Sequence, residues 1–504
     1  MTWHGGCAMP LTGTFSENVN KFNQIFEKCA DITKLDVELN YLDNAKGRIY
    51  FVNEAVNSVT IRKVMWGLTD VEEIDTIEGV LQSVLSGNAV LLLEDKNERF
   101  TVVNNINKGN ANSEDRAESE NKLPCIAFKI RGVGYPEISI SEAKDEQVMR
   151  GSNEGFNVSY KTNEVLVRKR IRSADLKIEE MQLGERTDTG VAILYMEGIV
   201  RKEVLNEVKK RLHTFTIDGF MDSGVVEQLT DGAQWSPFPQ YMTTTRPDRT
   251  AQFLLDGHVA ILVDNSPVAL ILPVNMGVFM KAADDYYERW GIVTFERIIR
   301  YIAMFFSVSL PALYISVINF HPEILPDNLI HVFIEARRDI PYPVFVEVLV
   351  MEIAFELIRE AGIRVPGAMG NAIGVVGGLI VGSAAVEASL ASPIIVIIVA
   401  LTAMCSFTIP NTEFSTALRI IKYFLMVLAQ IYGIFGYISG ILLIMLHLSG
   451  LKSYGFPYLG PVAAAEINEN EDMKDFIVRM PYRYLKKRPV FAREKNRTKL
   501  KLKN

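Results

Sequence analysis

Residues 423–451 read YFLMVLAQIYGIFGYISGILLIMLHLSGL, 29 consecutive positions without a formal charge. A helix needs about 20 apolar residues, each rising about 1.5 Å, to cross a hydrocarbon core about 30 Å thick. Upstream, Tyr301–Phe320 (20 residues), Val365–Val386 (22) and Ala388–Thr412 (25) meet the same test. From Val365 to Gly450 only Glu387, Glu413, Arg419 and Lys422 are charged, where the chain average of 22% would place roughly 19. Buried core helices are the competing reading, but four such runs in one half of a chain point to a membrane domain. The longest run has room to tilt or to break at Gly433, Gly436 or Gly440. Pro311 is expected to kink the first, which neighbouring helices tolerate.

Between these runs, Val344–Ile358 reads as a helix but carries Glu347, Glu352 and Glu356. Three carboxylates in fifteen residues make a poor lipid-facing span, so this segment is expected in the interface, re-entering, or lining water. Glu352, Glu356, Arg359 and Glu360 fall within about 100° of arc at 100° per residue, with Met351, Phe355 and Ile358 beside them. Two readings stay open: a ring of carboxylates attracting cations, or interfacial salt bridges to Arg359 and Arg364. In the next run Gly370, Gly374, Gly378 and Gly382 recur every fourth residue, a face on which another backbone approaches closely. An inter-subunit or pore-side zipper and ordinary packing within one subunit fit this pattern equally.

Residues 482–504 hold ten Lys/Arg against one Glu, so the rest of a chain of net charge −7 carries −16. A basic segment just past the last span favours the cytoplasmic side and contact with anionic lipid, and four spans put both ends on one side. A nucleic-acid role is not expected, since aromatic residues are scarce among those charges. Met1–Pro10 shows neither a basic n-region nor an apolar h-region, and Gly5-Gly6-Cys7 lacks the hydrophobic segment a lipidation site requires; the roughly 290 residues before the first span are expected to stay cytosolic.

The residues offer little for catalysis. Four cysteines (Cys7, Cys29, Cys125, Cys405) form no CxxC and no metal spacing, which suits a reducing compartment. His258 and His447 are expected to be structural. No catalytic residue, no metal site, no cofactor site and no enzyme activity is expected, since P-loop, GxGxxG and nucleophile-elbow patterns are missing.

The N-terminal half repeats itself. Tyr50–Val56 (YFVNEAV) echoes Leu194–Val200 (LYMEGIV) at an offset of 144, and Leu85–Glu94 echoes Leu255–Asp264 at an offset of 170. The second copy therefore holds an insertion of about 26 residues. In it Val191–Met196 reads as a strand, Lys202–Leu212 as an amphipathic helix, and Val259–Val263 with Val268–Leu272 as a hairpin. Two small tandem α/β subdomains follow, by duplication or by chance similarity. Asn105–Lys122 reads as an exposed polar loop, and Asp248 as the acidic start of a helix running to Leu255, with Arg246 capping it.

Several of these residues resemble known ones. Arg150-Gly151-Ser152-Asn153-Glu154-Gly155-Phe156, Asn163–Ile171 (NEVLVRKRI), Arg246-Pro247-Asp248, Gly257–Pro267, Phe355–Pro366 and Phe407-Thr408-Ile409-Pro410 resemble the A subunits of bacterial spore germination receptors, the GerA family. The likeness is close over about 150–465 and only in outline before that. One departure stands out: the family usually has Pro and then a basic residue where this chain has Ser152 and Asn153, which frees the backbone and removes a cation. The resemblance implies a linker motif marked by Gly151, Glu154 and Phe156. It also implies a nutrient germinant receptor in the inner membrane of the spore, with both termini cytoplasmic. Its partners would be a transporter-like B subunit, a lipoprotein C subunit and further copies of itself, enclosing a cation-release path. Alternatives are the paralogous stage V sporulation AF protein of dipicolinic acid release, or a membrane-anchored signalling scaffold.

The expected organisation is an α/β cytosolic N-terminal region of two tandem subdomains (1–133 and 171–289) joined by a linker (134–170). An α-helical polytopic membrane domain (290–451) follows, with about four transmembrane helices and an amphipathic helix at 343–360, and then a basic cytoplasmic tail (452–504).

Overall fold

The computed structural model describes residues 11, 14–39, 45–56, 71–94, 125–130, 141–143, 146, 148–365, 368–463 and 471–501. The expectations for Met1–Pro10 and for Asn105–Lys122 lie outside the described residues. The chain forms two compact units. One gathers residues 1–231, 243–273 and 487–504, and the other residues 232–242 and 274–486.

The first unit is a duplicated α/β fold. Its first half runs α1 (Phe15–Ile25), β1 (Ile32–Leu39), β2 (Ala45–Val52), β3 (Val71–Ile74), α2 (Ile77–Leu85), β4 (Ala89–Glu94) and β5 (Cys125–Ile130). After the short strands β6 (Ser141–Glu142) and β7 (Glu154–Gly155), the second half runs α3 (Tyr160–Arg170), β8 (Leu176–Leu183) and β9 (Thr189–Met196). It continues through α4 (Lys202–Leu212), α5 (Ser223–Thr230), β10 (Met242–Thr244), α6 (Pro247–Leu255), β11 (Val259–Val263) and β12 (Ala269–Leu272). The sheets have the orders β1-β2-β4-β5-β3 and β8-β9-β11-β12-β10, the same arrangement twice. β8 and β9 trail β1 and β2 by 144 residues, and α6 and β11 trail α2 and β4 by 170, the offsets of the sequence echo.

Local chemistry explains the match. At equivalent turns after β2 and β9, Glu54 and Gly198 take φ of 58° and 81°, and Gly87 and Gly257 before β4 and β11 take 85° and 100°. The extra length of the second half falls between β9 and β10, the stretch that holds α4 and α5. α4 forms over the predicted residues and buries Val204, Leu205, Val208 and Leu212, one stripe at helical spacing. β12 starts at Ala269 rather than Val268, opposite Leu262 of β11.

Strand alternation gives the first sheet two faces. Tyr50, Val52, Val90 and Leu92 pack with Phe22, Phe26, Val80 and Val84 of the helices, while Ile49, Phe51, Leu91 and Leu93 join Val37, Phe128 and Ile130 on the other side. A Thr14/Glu17 capping box opens α1, and Thr76 caps α2. The linker boundary at 171 moves, because α3 packs on β9, β11 and α6 and is the counterpart of α1, not a tether.

A buried ion pair joins the two halves. Arg168 of α3 donates to both carboxylate oxygens of Asp31 at 2.6 and 2.9 Å, each side chain 0% exposed. The same guanidinium donates to the carbonyls of Ser173 and Leu176. Ala30 and Ile178 add backbone bonds alongside.

Part of the basic C-terminal stretch packs into the first unit. Val490, Phe491 and Ala492 are buried in the first unit, with Arg201 donating to the carbonyls of Val490 and Ala492 and Arg488 to that of Leu255. Asn496 donates to Gly198 and Lys499 pairs with Asp256. The apolar triplet amid the basic run is what seats the segment.

The second unit is helical: α7 (Met276–Phe279), α8 (Trp290–Phe320), α9 (Asp327–Ala336), α10 (Val344–Arg364), α11 (Ala368–Glu387), α12 (Pro393–Phe407) and α13 (Thr412–Gly450). Among the described residues two helices, α8 with 31 residues and α13 with 39, are long and apolar enough to cross a membrane. α12 has 15 residues, about 22 Å of rise. α8 packs along α13 and α12, and α10 against α11 and α12. Pro311 lies inside α8. α13 breaks at Gly433, whose φ of 61° favours glycine and whose added Cβ would fall 2.9 Å from Phe320 Cγ.

Candidate functional site

α10 supplies the acidic cluster, and each carboxylate meets a cation of the same unit. Glu347 accepts from Arg337 at 2.8 Å, after the turn that ends α9. One and a half turns on, Glu352 accepts from Lys422 of α13; the two side chains are 1% and 4% exposed. Glu356 accepts from Arg419 of α13 at 2.6 Å. Glu360, exposed, pairs with Arg364 one turn away. Arg359 lies over the Phe407 ring at 4.9 Å instead of pairing with these carboxylates. Of the two partners expected for them, Arg364 holds only Glu360, and α10 is fastened to α13 by Lys422 and Arg419.

Sequence spacing did not reveal those partners, which lie 63 and 70 residues beyond the carboxylates they hold. The available signal was their rarity: they are two of the four charges between Val365 and Gly450. A charge in so apolar a stretch is expensive unless paired.

The glycine face of α11 is open where it is described. A Cβ at Gly378 would meet nothing within 4 Å, and one at Gly382 only Val396 at an ordinary 3.6 Å. The surroundings of Gly370 and Gly374 are outside the described residues. α11 meets α10 instead near Gly377, where an added Cβ would lie 3.6 Å from Ile358 Cγ2.

At the start of α8 a second charge network ties in residues 471–486. Arg297, buried, donates to Asp285 at 2.7 Å and to Asp475 at 2.8 Å; Arg300 adds a bond to Asp285, and Lys281 and Tyr286 add bonds to Asp475. Burial opposes charge on Asp475, yet Lys281 and Arg297 hold its carboxyl well below the usual range.

In the first unit, the linker motif is bolted to α3 and α6. Glu154 pairs with Lys169 at 2.9 Å and with Arg170. Burial works against its charge, but the two cations keep its carboxyl below the ordinary value. Gly151 takes φ of 133°. Phe156 is buried and its amide donates to the Thr245 carbonyl at 2.8 Å. Ser152 accepts through Oγ from Arg170 and through its carbonyl from Arg246, at 3.2 and 2.7 Å; a proline there would lack that hydroxyl. Arg246 sits at the N-cap of α6 without a side-chain cap bond, and its guanidinium reaches the Glu146 carbonyl and Asp248. His258 is structural: buried, with Nδ1 2.7 Å from the Pro273 carbonyl oxygen.

Among the described residues no group of three or more His, Cys, Asp or Glu could hold a metal ion. The arrangement does what ion pairs between helices do, fixing α10 on α13.

The family model described as Bacillus/Clostridium GerA spore germination protein matches residues 20–491. The chain is 36% identical over 485 residues to the uncharacterized membrane protein YfkQ of Bacillus subtilis (strain 168), covering 95% of this chain and 91% of that one. It is 40% identical over 365 residues to spore germination protein B1 of the same strain, covering 72% and 74%. To spore germination protein GerLA of Bacillus cereus it is 32% identical over 446 residues, covering 88% and 84%. Among solved structures, the N-terminal domain of the A subunit of the Bacillus megaterium spore germinant receptor GerK3 aligns with a TM-score of 0.37 and 23% identity. That alignment covers 53% of this chain and 98% of the domain.

Proposed function

Because this chain belongs to the Bacillus/Clostridium GerA spore germination family, a family of membrane proteins with a role in spore germination, we propose that it is the A-type subunit of a nutrient germinant receptor. It acts in the inner membrane of the spore with a transporter-like B subunit, a lipoprotein C subunit and copies of itself. The assembly is a ligand-gated cation-release channel, not an enzyme. The observation that carries this is the match along residues 20–491, which spans both the duplicated α/β unit and the helical unit.

The structure supports three finer parts of the reading. Residues 487–501 return to the unit that holds the α/β subdomains, so an even number of crossings separates them from it. α13 doubles back at Gly433, so its two arms leave and re-enter one face; an even total with both termini cytoplasmic then has α10 traverse together with α8, α11 and α12. α12 then borrows Leu390–Ser392 and Thr408–Ile409 to reach the hydrocarbon thickness. Third, the Glu352–Lys422 and Glu356–Arg419 pairs act as a latch that holds α10 on α13 and keeps the cation path closed. A germinant signal relayed through the linker motif releases the latch and turns the carboxylates toward cations.

The test is a set of spores lacking this chain, followed for cation release and for dipicolinic acid release after nutrient is added. Loss of the early cation release is expected. Normal cation release with slowed dipicolinic acid release would replace this reading with the paralogous sporulation role, and no change in either would leave a scaffold.

A further inference from the structure

Residues 232–242 interrupt the α/β fold between α5 and β10, yet belong to the helical unit. Their inner side is fixed within that unit. Phe238 is buried, with its ring stacked on His447 and tilted against Phe414 and Tyr458. Gln240 accepts from Ser453, Pro239 accepts from Tyr458, and Tyr241 bonds Tyr454. Ser236 meets His447 Nε2 at 2.9 Å, in the last turn of α13.

The outer side is a single large apolar group. Trp235 is 99% exposed, flanked by exposed Gln234 and Pro237. A rigid turn that holds a bare indole in water is costly unless something covers it. What lies beside it identifies the cover. The exposed row Phe435, Ile438, Leu442, Leu443, Leu446 of α13 ends one residue before His447, and exposed Lys452 follows. The start of α8 lies at this same end: Val274 bonds Ser453, Met276 bonds Tyr458, and Thr294 bonds Arg479. There Trp290 is half-exposed next to exposed Arg289, with Phe295 exposed one turn on. Tryptophan beside basic residues at the ends of apolar helices is the signature of the head-group layer.

We propose that residues 232–241 are a rigid membrane wedge whose Trp235 indole sits in the lipid head-group layer, at the face where α8 begins and α13 ends. With Trp290 it makes a two-point aromatic anchor. This fixes how a segment arising within the α/β fold engages lipid, and it rests on the membrane placement of α8 and α13.

The full chain and its Trp235→Phe variant are reconstituted into phosphatidylcholine/phosphatidylglycerol vesicles, either plain or brominated on the acyl chain close to the head group. Trp235 makes no buried contact, so the variant keeps the fold. The expected result is that the difference emission between the two chains loses most of its intensity in brominated vesicles and little to aqueous iodide. Difference emission quenched by iodide but not by bromolipid would overturn the wedge, because the indole then faces water. Shielding from both quenchers would overturn it too, in favour of a second copy or another protein as the cover. Carbonate washing of the vesicles separates the premises: both chains staying with lipid keeps the membrane placement whether or not the wedge survives.

Discussion

Arg168→Met should uncouple the two α/β subdomains, and the size of the effect follows from the geometry. The guanidinium makes two charge-assisted bonds to Asp31 and two more to backbone carbonyls. Methionine keeps most of the volume and removes all four. The larger consequence is the Asp31 carboxylate, which has no exposure to water and loses its counter-charge. Breaking one side of a buried pair costs about 3–5 kcal/mol, whereas replacing both sides by apolar groups costs little. Since about 1.4 kcal/mol is a factor of ten, the opened population of the α/β unit should rise some hundredfold or more. Native-state proteolysis of the full chain in detergent reads that population, and Asp31→Leu with Arg168→Met should recover most of the loss. A single-variant cost under about 1 kcal/mol, or a double variant no better than the single, would refute the coupling.

Three further outcomes follow from other sites. Glu164 is buried, its Oε1 finds no hydrogen-bond partner among the described residues, and burial first, then the Glu180 charge, push its carboxyl well above the ordinary 4.5, with Lys161 opposing. The folded chain therefore holds a proton that the unfolded chain releases, so stability falls as pH rises from 4.5 toward the raised value, by about 1.4 kcal/mol per pH unit. Glu164→Gln should lack this fall and gain on the wild type as pH rises; parallel denaturation curves across pH would disprove it. Gly257→Ala should release residues 487–501, because φ is 100° and the new Cβ would fall 2.7 Å from Ala492 Cα. The strain is worth about 1–3 kcal/mol and is read as faster trypsin cleavage of the tail. Lys422→Met should destabilise the helical unit in detergent more than Glu352→Gln with Lys422→Met does, by about 2–4 kcal/mol in thermal unfolding, since the single change strands a buried carboxylate.

What was legible in the sequence was whatever repeats or has a period. The apolar runs gave α8 and α13, the stripe at Val204, Leu205, Val208 and Leu212 gave α4, and the two offsets gave the duplicated sheets. Even so, the echo was visible only around Tyr50 and Leu85. β1 against β8, and α1 against α3, keep the spacing without keeping residues, because alternation and helical stripes tolerate many apolar substitutions. The partners of the acidic helix stayed hidden for a different reason. Lys422 and Arg419 meet Glu352 and Glu356 only after α11 and α12 have turned the chain back, and no local period encodes that return. The same holds for Val490-Phe491-Ala492, whose burial in the first unit no charge count of the basic segment indicates.

The latch on α10 is tested most directly by cation flux from vesicles holding the purified chain, with and without its B partner, for wild type and Glu352→Gln. Assembly should persist, because Gln keeps the side-chain shape and its amide oxygen can still accept from Lys422, while resting flux rises severalfold or its preference among monovalent cations shifts. Identical flux and preference from equally assembled protein would contradict a cation path controlled by the α10 carboxylates.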